Sequence, residues 1–259
     1  MNNTKKKIDQ EYIELWELSD CESIYKGRYS RCYKKNNIVR KYYQYNNLSK
    51  FTKEFKTMKS AYQQGVFTPE PIALEYDQYN DKWYIESKFV VFDKLDSNLN
   101  LMMFNQMLEL IKKMQKIKYR NESNWLNLLG EFDDALITYS EFHKEECRIY
   151  MNMLNSLNAE CFIHGDFLPK NMGVTPKGLV VFDFQNSGYG PYNWDLWYFL
   201  SEFDPAAVED NVFRMIDKIW FEFICIILKI RMGRAIKKNQ PIKKYQLRLE
   251  KWRLLFEKK

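Results

Sequence analysis

Between residues 49 and 64 the apolar positions Phe51, Phe55, Met58 and Tyr62 recur every three or four residues. That spacing draws one stripe along a helix, and Gly65 ends it. The stretches on either side have another period. Residues 24 to 45 hold short runs rich in Tyr, Val and Ile, split by the turn-like cluster Lys34, Lys35, Asn36, Asn37. This predicts an antiparallel pair, with strands near 30–34 and 38–43. After Thr68-Pro69-Glu70-Pro71, further strands are predicted at 72–76 and 83–92. Residues 24 to 92 thus read strand, strand, helix, strand, strand, and residues 8–18 ahead of them read as a helix.

The second half is mainly helical. Helices are predicted at 102–117, at least once within 132–155, and at 194–203 and 211–236. One hairpin interrupts them: strands at 172–174 and 179–184 flank Thr175-Pro176-Lys177-Gly178, where the fixed φ of proline suits the second turn position. Five of the nine glycines lie between Gly165 and Gly190, so backbone geometry is most constrained there.

Composition narrows the class. Hydrophobic residues make up 46% and aromatics 17%, enough apolar surface for a packed core. Cys21, Cys32, Cys147, Cys161 and Cys225 are scattered, odd in number and without a C-x-x-C pair, which argues against a zinc or disulfide framework and for a cytoplasmic protein. No signal peptide is visible at the polar, basic start. The apolar run from Ile219 to Ile230 is too short to span a bilayer and includes Glu222, so no membrane span is expected. The formal charge is +6, and its excess sits in the tail: from Ile230 onward eleven Lys or Arg face only Glu250 and Glu257. Between these cations lie Tyr245, Leu247, Leu249, Trp252, Leu254, Leu255 and Phe256, which predicts a helix that docks an apolar stripe and turns its charges outward.

Candidate chemistry gathers at the hairpin. In Cys161 to Val174, C-F-I-H-G-D-F-L-P-K-N-M-G-V, one of only two histidines precedes Gly165 and Asp166, and Asn171 follows five residues later. Asn171 leads into the first hairpin strand and Asp183 lies near the end of the second, so antiparallel pairing brings them side by side. An amide oxygen and a carboxylate held together suit Mg2+. Asp166 on the preceding loop can accept a hydroxyl proton, which makes phosphoryl transfer the natural chemistry.

H-G-D-F-L-P-K-N followed by V-F-D-F resembles the aminoglycoside phosphotransferase and choline kinase group, the small-molecule branch of the protein-kinase-like fold. The resemblance, which covers residues 22 to 203, implies a bilobal α+β architecture, with a small antiparallel-sheet lobe at 22–95 and a mainly helical lobe at 96–259; the helix read at 8–18 makes 1–21 a helical extension. It implies Asp166 as catalytic base and Asn171 and Asp183 as Mg2+ ligands. It also implies a bracing role for His164 and for Asp195, the latter through the backbone of the catalytic loop. Upstream, N-I-V-R-K-Y-Y resembles the strand that carries the phosphate lysine, here Lys41, with Arg40 as rival because strand neighbours face opposite sides. Glu54 is the implied helix partner of that lysine. G-R-Y-S-R-C-Y-K resembles a reduced phosphate loop, with Gly27 and Ser30 on the nucleotide. Residues 89–95 would form the hinge.

The implied activity is transfer of the γ-phosphate of ATP or GTP, with Mg2+, to a hydroxyl of a small molecule such as an aminoglycoside-type antibiotic, a sugar or an amino alcohol. The basic tail counts against a polycationic acceptor. Leu168 stands where the group often has histidine and protein kinases have lysine, and Gln185 follows the D-F pair in place of glycine. Alternatives are a protein Ser/Thr kinase or pseudokinase, and a non-catalytic module that binds nucleic acid through the basic tail. Asp195 follows Gln185 by only ten positions, little room for a peptide platform. Trp194, Trp197, Tyr198 and Phe199 read as core or as an aromatic box for a quaternary ammonium. Glu202, Asp204, Glu209 and Asp210 read as caps and surface or as a site for an amino-sugar, and His143 as an exposed helix residue.

Overall fold

A computed structural model describes residues 21–26, 30–44, 47–78, 81–118, 124–139 and 144–258. The helix expected at 8–18, Gly27 and His143 lie outside the described residues. The chain forms two compact units that divide between Val91 and Phe92.

The first unit is an antiparallel sheet of β1 (Glu22–Lys26), β2 (Ser30–Lys35), β3 (Ile38–Tyr43), β4 (Pro71–Asp77) and β5 (Lys82–Lys88), in the order β1-β2-β3-β5-β4. Strand β1 was not foreseen, because its five residues are all exposed and show no alternation. The loop between β2 and β3 is two residues long, with Lys35 opposite Ile38, and Asn36 takes the left-handed conformation such a loop requires. The strand predicted at 83–92 stops at Lys88. Tyr42 and Tyr43 are neighbours on β3 and therefore serve opposite faces. Tyr42 packs with Tyr33 and Tyr84, while Tyr43 stacks at 3.8 Å on Phe51 of helix α1 (Leu48–Gln63).

The second unit runs α2 (Leu101–Gln115), α3 (Asn124–Tyr139), α4 (Lys144–Asn155), β6 (Cys161–Ile163), β7 (Met172–Thr175), β8 (Gly178–Val181), β9 (Gly188–Gly190), α5 (Trp194–Leu200), α6 (Asp210–Met215), α7 (Lys218–Lys237) and α8 (Lys243–Glu257). Strands β7 and β8 form the expected hairpin, but β8 ends at Val181 rather than at residue 184. The short strand β9 pairs with β6, a pairing too brief to leave a periodic signal. The helix predicted over 211–236 is two helices, parted at Ile216 and Asp217; the Asp217 carboxylate accepts the Trp220 N–H at 2.8 Å and starts α7.

Helix α7 is the centre of this unit, with twelve buried residues. It crosses α3 so closely that a side chain at Gly233 would overlap the carbonyl of Ala135. Trp194, Trp197, Tyr198 and Phe199 are all buried, and Trp197 stacks on Phe223 of α7 at 4.0 Å. They are core, not an aromatic box. The C-terminal helix α8 docks through part of its predicted stripe: Leu249 and Trp252 are buried, Trp252 near Phe213, and Phe256 stacks on Phe221 at 4.3 Å, while Leu247 and Leu254 stay exposed. No helix among the described residues is long and apolar enough to cross a membrane.

Candidate active site

In the first unit, β3 and α1 hold one buried ion pair. Lys41 Nζ lies 2.6 Å from Glu54 Oε1, and Glu54 is only 3% exposed. The second glutamate oxygen accepts the Tyr43 hydroxyl at 2.7 Å, so this buried carboxylate has a charged and a neutral donor. Tyr43 was not singled out in the sequence, although it follows Lys41 by two residues and so shares its face. Arg40 serves the opposite face: its Nε donates to Glu86 on β5 at 2.8 Å, and its guanidinium lies 4.5 Å from the centre of the Tyr84 ring. Ser30 opens β2 and is buried; Cys32, two residues on, pairs with Lys41, so Ser30 and Lys41 share a sheet face. Gly27 lies outside the described residues.

In the second unit the loop from His164 to Asn171 is clamped from below. Asp195, in the first turn of α5, is 2% exposed, and its two carboxylate oxygens accept the backbone N–H groups of His164 at 2.7 Å and Gly165 at 3.0 Å. Burial pushes the Asp195 pKa up, more than His164 and these two N–H groups pull it down. His164 is wholly buried, and its Nε2 donates to the Phe182 carbonyl at 2.8 Å, since a carbonyl can only accept. Nδ1 then faces the Asp166 N–H at 3.4 Å. Gly165 has φ +77, and any side chain there would overlap the backbone oxygen of Asn186.

Asp166 and Asn171 meet directly. The Asn171 amide nitrogen donates to the Asp166 backbone oxygen at 2.8 Å and to its carboxylate Oδ2 at 3.0 Å. This fixes the amide so that Oδ1 is its remaining acceptor. Phe182 N donates to the Asn171 carbonyl at 2.9 Å, which carries the hairpin pairing one step past β8. Asp183 comes next and leaves the strand geometry with φ 65 and ψ 65. A left-handed aspartate is tolerated but uncommon, and such backbone is found where a side chain must be aimed. It caps a short 3-10 turn, Phe184–Asn186.

Leu168 is buried, and Lys170 Nζ lies 3.3 Å from Asp166 Oδ2. Burial alone would lower the Lys170 pKa, but Asp166, by charge and hydrogen bond, together with Tyr198 and Asp183, raises it overall. A cavity of about 600 Å³ opens beside Asp166, lined by Leu168, Lys170, Tyr198, Arg231 and Tyr245 among others. Arg231 escaped the sequence reading because it follows directly on the apolar run of α7; a cation inside so apolar a helix was the available signal. Glu202, Asp204 and Glu209 are all bonded within the chain. Glu202 takes Arg231 and Arg248, Asp204 takes Lys251, and Glu209 accepts the Leu101 N–H at 2.8 Å.

No cluster of three His, Cys, Asp or Glu side chains fit to hold a metal occurs among the described residues. The oxygens of Asn171 and Asp183 are a hard but incomplete donor set. That fits Mg2+, which keeps water and phosphate oxygens as its other ligands.

A model of the phosphotransferase enzyme family matches residues 34–215, more than half of the chain. Among solved structures, the amicoumacin kinase hAmiN in complex with AMP-PNP, Ca2+ and Ami is 12% identical with a TM-score of 0.65, over 98% of this chain and 95% of that one. A choline/ethanolamine kinase family protein from Mesorhizobium loti is 14% identical at 0.65, over 96% and 95%. The GDP complex of aminoglycoside 2'-phosphotransferase-IIIa is 11% identical at 0.65, over 97% and 98%. No curated protein matches the chain by sequence. Likeness at such identities is likeness of fold, and it agrees with the family match. The chain belongs to the phosphotransferase enzyme family, small-molecule kinases built on the protein-kinase-like fold.

Proposed function

We propose that the protein transfers the γ-phosphate of ATP or GTP to a hydroxyl of a small molecule, with Asp166 as the proton acceptor. The observation that carries this reading is the double hydrogen bond from the Asn171 amide to Asp166. It ties a carboxylate beside the cavity to the head of the hairpin that leads to Asp183. In this reading residues 22–95 handle the nucleotide, with Lys41 held on its phosphates by Glu54 and with Gly27 and Ser30 alongside. Residues 96–259 hold the acceptor.

The acceptor oxygen attacks the γ-phosphorus. A new O–P bond forms as the bond to the β,γ-bridging oxygen breaks, the hydroxyl proton passes to the Asp166 carboxylate, and the nucleoside diphosphate leaves with the bridging electron pair. Asn171 keeps Asp166 aimed, and the Asp195 clamp on the loop backbone keeps both in register. Asn171 and Asp183 would hold Mg2+, which when bound offsets the charge on the phosphates. A small-molecule acceptor is supported by the stretch after Asp183: a 3-10 turn, β9 and the start of α5 take it up and leave no segment to seat a peptide.

Asp166→Asn is the test. The amide keeps the shape but cannot take the proton, so transfer should fall about 10²-fold or more while nucleotide binding persists. The measurement is nucleotide consumption with Mg2+ across sugars, amino alcohols, antibiotics and peptides, beside nucleotide affinity. Wild-type turnover by Asp166→Asn would refute the assignment.

A further inference from the structure

We propose that the acceptor carries an anionic group, a carboxylate or a phosphate, and that Lys238 and Lys244 recruit it to the cavity beside Asp166. The inference rests on the reading of that cavity as the acceptor site, and it turns on charge. Five cations line the cavity, Lys170, Arg231, Arg234, Lys238 and Lys244, against two carboxylates, Asp166 and Glu202.

Neither carboxylate is left to greet a cation. Glu202 is ion-paired with Arg231 and, through its other oxygen at 3.0 Å, with Arg248. Arg231 is 6% exposed and is held further by the Tyr198 carbonyl at 3.3 Å and by the Tyr198 ring, 4.5 Å from its guanidinium. This arrangement is part of the core and cannot swing away to free Glu202. Asp166 is met by Lys170. A polycationic antibiotic entering here would find both carboxylates already matched and would face a wall of net positive charge.

The cations differ in exposure: Arg231 is buried and Arg234 partly so. Arg231 is matched by Glu202, and Arg234 by Glu131 at 2.7 Å. Lys238, at the end of α7, and Lys244, in the first turn of α8, are exposed at the rim. Lys244 Nζ also sits 4.6 Å from the centre of the Tyr245 ring. The basic tail thus contributes its charge at the mouth of the cavity, where an anion on a hydroxylated ligand reaches it while the hydroxyl points to Asp166. Exposed cations act over several ångströms and are screened by salt.

The experiment uses the full chain and four probes: glucose, gluconate, glucose 6-phosphate and kanamycin. Binding is measured by calorimetry at low and high salt, and phosphoryl transfer with ATP or GTP and Mg2+ in parallel. One or both anionic sugars should bind about tenfold or more tighter than glucose, and kanamycin weakest. Gluconate against glucose 6-phosphate separates carboxylate from phosphate. Lys238→Gln with Lys244→Gln should erase most of the preference, as should high salt. Thermal unfolding reports whether that double variant is folded, and each single variant should lose part of the preference if it is not. Kanamycin or glucose binding tighter than both anions overturns the proposal, as does anion affinity indifferent to both substitutions. The phosphotransferase reading survives those results if any probe is phosphorylated. Conversely, anion binding that depends on the two lysines without transfer to any probe supports the site and counts against the reaction.

Discussion

The Asp195 carboxylate accepts the backbone N–H of His164 at 2.7 Å across thirty-one residues of sequence. The adjoining N–H of Gly165 takes the other oxygen, so one buried side chain sets the entry of the loop that carries Asp166. His164 does its part by fastening to the Phe182 carbonyl, which ties the loop to the strand leading into Asp183. It is a brace, and its ring is sealed from any substrate.

Replacing Asp195 by alanine should therefore strip two buried N–H groups of their acceptor. The expected cost is about 3 kcal/mol, read from urea unfolding, since each orphaned buried donor bears its desolvation penalty. The variant should lose activity even at temperatures where it stays folded. A change below about 1 kcal/mol would show that the clamp does not stabilise the loop.

Asp183→Asn separates charge from backbone. Asparagine tolerates the left-handed conformation at this position, so folding should hold. The affinity for Mg2+–nucleotide should fall because the anionic oxygen is gone. Asn171→Ala should weaken the same affinity less, an amide oxygen having no net charge, and should also loosen Asp166 and lower turnover. Titration of Mg2+–nucleotide binding against the three proteins checks both, and identical curves would exclude a metal at the head of the hairpin.

Lys41→Ala and Glu54→Ala should each lower turnover, and the double variant should be little worse than Lys41→Ala alone, because both remove one ion pair. Arg40→Ala is the contrast. Its guanidinium is committed to Glu86 and Tyr84 on the other face, so it should reduce stability by about 1 kcal/mol and leave turnover near the wild-type rate. Loss of activity in Arg40→Ala with Lys41→Ala unaffected would reverse the faces of β3.

The contact between Asp204 and Lys251 gives α8 an acid-side pH dependence. The Lys251 hydrogen bond is the largest influence on Asp204 and, with help from the Ala206 N–H, holds its pKa below the ordinary range against a smaller opposing effect of burial. A depressed folded value means stability that is complete above about pH 4, the ordinary aspartate pKa, and lost as pH falls through the lowered one. Both side chains are partly exposed, so the contribution should be no more than about 1 kcal/mol. Asp204→Asn should flatten the stability profile on that acid side alone, as unfolding at pH 3 and pH 6 would report.

The sequence by itself determined the elements and the order of the chemistry. Apolar spacing is a property of consecutive residues, so it marked α1, α2 and the docking stripe of α8, and the turn residues marked the hairpins. His164, Gly165, Asp166 and Asn171 lie within eight residues, which is why their association was legible. Tertiary packing decided the rest, because those outcomes depend on groups far apart in the chain. Asp183 lies beyond the strand end and in left-handed backbone, just after Phe182, whose N–H is held by the Asn171 carbonyl and whose carbonyl by His164. The break at Ile216 and Asp217 follows from a carboxylate cap that the continuous apolar pattern conceals. Glu202, which in sequence belonged to an acidic cluster open to an amino-sugar, is neutralised by Arg231 and Arg248 from two later helices. Charge counts along a chain add up formal ions, but only packing decides which of those ions pair with each other.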